Sequence, residues 1–130
     1  MSRNKEVSKI LKENPSAEEL GGYGFFIGKS ISNIAFPQLG DISSFIFKDA
    51  IFNNVVFSNV TFLGANLGET VFKNCSFSNC SLAKSDMYKT KFTHCVLLDT
   101  SFRNTRLISA SIEKCVFENV DFEYAIVTKS

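Results

Sequence analysis

The sequence predicts an all-β fold, a right-handed, four-sided parallel β-helix assembled from five-residue repeats. Three observations predict it: a large apolar residue at every fifth position, a small residue two positions before it, and a likeness between repeats that is strongest at a spacing of twenty residues. A helix has a period of about 3.6 and a hairpin strand alternates over its whole length, so neither explains a strict period of five. The pattern therefore indicates a short strand, a corner and a restart, repeated along the chain.

The large residues form one uninterrupted series. They are Ile42, Phe47, Phe52, Phe57, Phe62, Leu67, Phe72, Phe77, Leu82, Met87, Phe92, Leu97, Phe102, Leu107, Ile112, Phe117, Phe122 and Val127. The residue two positions earlier is small in every repeat except that of Phe45, with Ala, Cys, Thr and Val the commonest choices. Because residues two apart point to the same face of a strand, both members of each pair are expected to point into a common core.

The number of sides follows from the spacing at which repeats resemble each other. Residues of like type recur every twenty positions: Cys75, Cys95 and Cys115; Phe52, Phe72 and Phe92; Asn59, Asn79, Asp99 and Asn119. Twenty residues make four repeats, so the 18 repeats are expected to form about four and a half coils of four sides each. Each side would stack on its equivalent in the next coil at about 4.8 Å, and parallel crossovers favour a right-handed path.

The repeat resembles that of the pentapeptide-repeat proteins, whose pattern is Ala, then Asp or Asn, then Leu or Phe, then two variable residues. The segment GANLGETVFKNCSFSNCSL, from Gly64 to Leu82, carries the likeness most clearly. The resemblance covers Gly40 to about Lys129, and it implies a right-handed quadrilateral β-helix.

The chain is expected to divide into an N-terminal capping segment, residues 1–39, and the β-helix, residues 40–130. Residues 4–13 have the apolar stripe of a short amphipathic helix that Pro15 ends. Ser16 and Glu19 fit a capping box for a second single turn, whereas residues 23–39 are apolar but off the register of five. Capping of the solenoid end is the preferred role of this segment, and binding to a membrane surface is the alternative.

Composition favours a water-soluble protein of the cytoplasm. The longest apolar stretches are only a few residues, and the charged first residues lack the apolar core of a secretory signal. Secretion as a bacterial effector without such a signal is the alternative. The sequence predicts no cofactor and no metal, because all four cysteines occupy the small inward position and no histidine or carboxylate shares it. The single histidine, His94, lacks catalytic neighbours, so an enzyme is not expected.

The candidate binding surfaces are outward positions that depart from the polar pattern of the repeat. Val56, Val96, Leu98 and Val116 would form an apolar stripe on one side. Ile46, Ile51 and Val56 lie on successive sides of the first full coil, where the N-terminal segment is expected to cover them, or alternatively a partner binds. The basic residues expected around one edge of neighbouring coils, flanking the partner surface, are Lys84, Lys89, Arg103 and Arg106.

These features predict a non-enzymatic module that presents rigid faces to a protein partner of unknown identity. Similar family members protect bacterial topoisomerase (DNA gyrase) from quinolones by DNA mimicry, and others form the recognition part of bacterial effectors; both are alternatives here. The nine basic and nine acidic residues between Asp41 and Lys129 argue against mimicry and against direct nucleic-acid binding. Family members often dimerise through their C-terminal coils, so Phe117, Phe122 and Val127 are candidates for end-to-end contact in a homodimer.

Overall fold

The computed structural model describes residues 3–39 and 42–128. Gly40, Asp41 and Lys129, at the limits of the predicted repeat region, lie outside the described residues. The elements are helix α1 (Arg3–Lys12), a 3₁₀ turn (Glu18–Leu20), and strands β1 (Ser30–Ala35), β2 (Ile51–Ser58), β3 (Val71–Lys73), β4 (Ser76–Ser78), β5 (Lys91–Thr93), β6 (Val96–Ser101), β7 (Ser111–Glu113) and β8 (Val116–Asp121).

Within the described ranges, none of the helices is both long and apolar enough to cross a bilayer.

Every strand pairing of the repeat region is parallel and joins residues twenty apart. The first side stacks Ile51, Val71, Lys91 and Ser111; the second stacks Val56, Ser76, Val96 and Val116; the third stacks Thr61, Ser81, Ser101 and Asp121; the fourth stacks Ile46, Asn66, Asp86, Arg106 and Ile126. The predicted four-sided parallel β-helix with a short N-terminal helix is therefore confirmed. Hydrogen bonds between coils run along the axis, which makes the molecule a rod with four sides.

The large residues of the repeat fill the interior. From Ile42 to Leu107 each is at most 3% exposed, and the phenylalanines stack on their equivalents in the next coil. The ring centroid of Phe72 lies 5.2 Å from that of Phe52 and 4.9 Å from that of Phe92, and the three ring planes are nearly parallel. Burial of such a side chain contributes about 1.5–3 kcal/mol, so this column of rings is a main source of stability.

The small inward residues link successive coils by hydrogen bonds inside the core. The hydroxyl of Thr70 donates to the carbonyl of Phe47 at 2.7 Å, and that of Thr90 donates to Leu67 at 2.6 Å. The thiol of Cys75 makes the equivalent contact with the carbonyl of Phe52 at 3.4 Å. Thr and Cys therefore satisfy carbonyl groups of the preceding coil while leaving room for the large residues.

The last position of each repeat forms the corner, where the backbone has a positive φ. All corners from Asp49 to Tyr124 share this conformation, and Gly64 is the only glycine among them. Asn tolerates the left-handed region better than most residues, which explains its frequency at this position. Lys84 and Tyr124 adopt the same conformation at φ values of 60° and 63°, so stacking between coils overrides local preference there.

The N-terminal segment extends the solenoid by part of a coil. Strand β1 pairs in parallel with β2 at a spacing of 21 residues, with Ile31 beside Phe52. Phe26, Ile31 and Phe36 are themselves five apart and buried, and Phe26 stacks on Phe47 at 4.9 Å. Residues 23–36 thus follow the period of five, one residue out of phase with the main series, which is why they are off register in the sequence.

Helix α1 packs over β1 and closes this end of the rod. Val7 and Leu11 are buried, and the hydroxyl of Ser8 accepts a hydrogen bond from the backbone of Ser32 at 3.3 Å. The predicted capping box is present, since Ser16 and Glu19 exchange backbone-to-side-chain hydrogen bonds of 3.0 and 3.1 Å. The hydrogen bond that the Glu19 carboxylate accepts from the Ser16 backbone N–H, together with the Ser16 side chain, lowers the pKa of this carboxyl.

The prediction that the N-terminal segment covers the outward residues Ile46, Ile51 and Val56 of the first coil is wrong for Ile51 and Val56. Ile51 and Val56 are 40% and 43% exposed, while Ile46 is partly buried and its backbone N–H donates to the carbonyl of Tyr23 at 3.0 Å. The reason is that the N-terminal segment stacks on the end of the rod through β1 instead of lying across its sides. The outward apolar residues of the first two sides therefore stay accessible.

Candidate partner-binding face

The second side of the rod carries exposed valines in register. Val56, Ser76, Val96 and Val116 lie on adjacent strands β2, β4, β6 and β8, and we call this row the valine face. The three valines are 43%, 41% and 58% exposed. Leu98 lies on the same strand as Val96, two residues along, and is half-buried. The structure thus brings these four predicted residues to one side, with Ser76 interrupting the row.

A rigid polar edge borders the valine face. The side-chain amide of Asn79 donates to Asn59 at 2.6 Å, and that of Asn119 donates to Asp99 at 2.7 Å. These residues occupy the corner that follows the face, so their side chains are held in a ladder along the axis. An apolar strip beside fixed polar groups is the usual composition of a protein-binding surface.

The predicted basic residues lie elsewhere on the rod. Arg103 is on the third side and Arg106 is on the fourth, with Lys84 and Lys89 at the corners that end these two sides. Arg103 pairs with Glu123 at 3.0 Å and lies 3.6 Å from Asp121, and Arg106 pairs with Asp86 at 3.2 Å. The structure therefore places Lys84, Arg103 and Arg106 around the edge between the third and fourth sides, away from the edge that the valine face shares with the third side. Carboxylates of neighbouring coils pair with both arginines.

The inward residues of the last coil are open to solvent. Phe117 is 40%, Phe122 37% and Val127 70% exposed, although they occupy the position that is buried in earlier coils. The rings of Phe117 and Phe122 pack edge to face at 5.7 Å, so they form one apolar surface at this end. The structure thus places two of the three predicted end-contact residues against each other.

Two features of the surface were not predicted. An open groove of about 580 Å³ lies between the 3₁₀ turn and the first coil, lined by residues that include Ala17, Tyr23 and Phe45. Its formation depends on how the N-terminal segment folds, and no sequence pattern marks it. Cys115 is only partly buried, whereas the other three cysteines are buried as expected, because it belongs to the last coil. In the part of the chain that the structure describes, no three His, Cys, Asp or Glu side chains are grouped to hold a metal ion.

Two protein-family descriptions match the repeat region of this chain. A family described as "Pentapeptide repeats (8 copies)" matches residues 43–74, and one described as "Pentapeptide repeat region" matches residues 70–130. The chain belongs to the pentapeptide-repeat proteins. Together the two matches cover residues 43–130, which include the four sides of the rod as the structure describes them up to residue 128.

Two solved structures are similar to this chain at low sequence identity. The protein Rfr23 from the cyanobacterium Cyanothece 51142 is 19% identical, with a TM-score of 0.47 over 78% of this chain and 63% of that chain. QnrB1, a plasmid-mediated fluoroquinolone resistance protein, is also 19% identical, with a TM-score of 0.43 over 80% of this chain and 53% of that chain. The chain thus spans less than two thirds of either length. No protein of curated function matches it.

Proposed function

We propose that this pentapeptide-repeat protein is a non-enzymatic binding module that engages a protein partner through the valine face. The proposal rests on one observation: Val56, Val96 and Val116 are more than 40% exposed at outward positions of a single side. Proteins of this family are generally structural or binding modules. Exposed β-branched residues aligned on a rigid sheet bind at a reduced ordering cost, since the hydrogen bonds of the coils already hold their backbone in place.

The chemistry of the valine face favours a protein over a nucleic acid. A phosphate backbone requires clustered, unpaired cations, whereas the row itself consists of three valines and a serine. The two arginines on other sides already contact carboxylates, as described above. The basic set Lys84, Lys89, Arg103 and Arg106 stays a prediction, and the proposal does not depend on it.

DNA mimicry has less support than protein binding through the valine face. Mimicry requires a long face of unpaired negative charge. Of the four acidic residues near the C-terminal end, Asp121 and Glu123 lie against Arg103, which leaves Glu113 and Glu118 without a described ion pair. Among the described residues of the coils, the other acidic side chains form no continuous strip along one side, since Asp49, Glu69 and Asp99 lie at corners and Asp86 lies on the fourth side.

The double substitution Val96→Ser and Leu98→Ser is expected to abolish capture of the partner from an extract of the native cell. Both side chains point outward, although Leu98 is half-buried, so the free energy of unfolding should change by only about 1–2 kcal/mol. Ile51→Ser is the matched control, because Ile51 is 40% exposed on the neighbouring first side. Capture is measured by affinity pull-down with mass spectrometry. Equal loss with Ile51→Ser, or retention with the double variant, would contradict the assignment of the face.

We also propose that two copies pair end to end through Phe117, Phe122 and Val127. Buried apolar area is the main source of affinity in such contacts, and these residues are 37–70% exposed at one end of the rod. Light scattering at increasing concentration should show a dimer, and Phe117→Glu should return it to a monomer. A monomer at high concentration in the unsubstituted protein would rule this pairing out.

A further inference from the structure

Three thiols lie in line inside the rod. Cys75, Cys95 and Cys115 occupy the same position in successive coils, between the first and second sides. Backbone hydrogen bonds hold the coils together at this point: Val96 N–H donates to the Cys75 carbonyl at 3.0 Å, and Val116 N–H donates to the Cys95 carbonyl at 2.9 Å. The three residues are therefore separated by the coil spacing of about 4.8 Å.

The three thiols also point the same way. Each Sγ lies against the carbonyl oxygen of the residue two positions earlier, at 3.3 Å for Cys75, 3.5 Å for Cys95 and 3.3 Å for Cys115. Equal contacts in equal backbones place the sulfur atoms above one another along the axis. The side chain of Cys95 interacts with both of its neighbours, which identifies it as the middle member of a thiol ladder.

The spacing of this ladder suits a metal ion that takes two sulfur ligands in line. A metal–sulfur bond is about 2.3 Å in zinc sites, so a linear sulfur–metal–sulfur unit spans about 4.6 Å, close to one coil spacing. Structural zinc requires four ligands, and among the described residues no three His, Cys, Asp or Glu side chains are grouped so that they could hold one metal ion. Soft ions prefer thiolates, so a soft, two-coordinate ion is the class that fits.

Of the two stacked pairs in this ladder, only Cys95 and Cys115 include a thiol that is partly exposed. Cys75 and Cys95 are 2% and 1% exposed, whereas Cys115 is partly exposed. We propose that Cys95 and Cys115 together bind one soft divalent ion of the Hg(II) class, in linear coordination between their sulfur atoms. Each thiol loses its proton, so one divalent ion and two thiols give a neutral dithiolate complex and two free protons. Neutrality suits a partly buried site, because an unpaired charge there would be costly.

Proton release makes binding depend on pH. An ordinary cysteine thiol has a pKa of about 8.5 and is mainly protonated at neutral pH, so the ion must displace one proton from each of the two thiols. The affinity should increase with pH throughout the neutral range.

The experiment is a competition for Hg(II) between the reduced full-length protein and glutathione, followed by native mass spectrometry. We expect one ion per chain, with a mass gain equal to mercury minus two hydrogens. Cys115→Ala should lower retention of the ion about tenfold or more, because the stacked pair that remains, Cys75 and Cys95, is buried and a solvent-accessible second ligand at high effective concentration is lost. Cys75→Ala is expected to keep the site.

Cys80→Ala is the matched control, since Cys80 is buried in a separate column where no other cysteine stacks on it. Far-ultraviolet circular dichroism of each variant confirms that the fold is intact. Loss of the ion with Cys80→Ala, retention with Cys115→Ala, or loss with Cys75→Ala would each overturn the assignment to Cys95 and Cys115. Tight binding of Zn(II) under the same conditions would contradict linear coordination.

Discussion

Phe72→Ala is expected to lower the free energy of unfolding by about 3–5 kcal/mol, a large share of the stability of a small domain. Phe72 is fully buried and lies between the rings of Phe52 and Phe92, so its removal opens a cavity that both neighbours border. The coils are fixed by backbone hydrogen bonds at a constant spacing and cannot collapse into the gap, which places the cost near the top of the usual range. Urea denaturation followed by circular dichroism measures the loss.

The matched control for this substitution is Phe117→Ala. Phe117 occupies the same inward position of the repeat but is 40% exposed in the last coil. Its removal should cost less than half as much, because little of the ring leaves a closed core. An equal loss of unfolding free energy for Phe72→Ala and Phe117→Ala would contradict the difference in burial between these two rings.

Val96→Pro is expected to destabilise the protein by about 3 kcal/mol. The backbone N–H of Val96 donates to the carbonyl of Cys75 at 3.0 Å in the middle of the second side. Proline removes this donor, leaves the carbonyl unpaired inside the stack, and brings its ring against the neighbouring strand β4. Thermal and urea unfolding measure the change.

Val96→Ser separates the backbone effect from the side chain. The valine side chain is 41% exposed, so its replacement by serine should change stability by only a few tenths of a kcal/mol to about 1 kcal/mol. A serine variant as unstable as the proline variant would mean that the valine side chain, and not the backbone pairing, holds the second side together. The same serine substitution then could not test partner binding.

The interior of the rod follows from the sequence because period and burial depend on each other. Only one continuous core accommodates a large apolar residue at every fifth position from Ile42 onward, and the spacing of twenty determines which residues stack. The two arginine ion pairs also join residues twenty apart: Arg106 pairs with Asp86, and Arg103 pairs with Glu123. Those two ion pairs could therefore have been predicted from the sequence. Because carboxylates neutralise Arg103 and Arg106, the predicted basic edge carries less positive charge than its sequence indicates.

The N-terminal coil could not be predicted in the same way. Phe26, Ile31 and Phe36 keep the spacing of five but are shifted by one residue from the main series, and the first coil therefore has 21 residues. They are therefore not part of the series of large residues that begins at Ile42. Whether the segment covers the outward residues Ile51 and Val56 or stacks on the end of the rod depends on tertiary packing of α1 against β1, which no local pattern specifies.

The central claim is that residues five apart line one interior, and reaction of the native protein with a thiol reagent tests it most directly. Three of the four cysteines are buried in the small inward position, and Cys115 is partly exposed in the last coil. Peptide mapping should show modification of Cys115 first, whereas Cys75, Cys80 and Cys95 should react only as the protein unfolds, giving four modified thiols in denaturant. If Cys75 or Cys80 in the folded protein reacts as fast as Cys115, the shared interior does not exist.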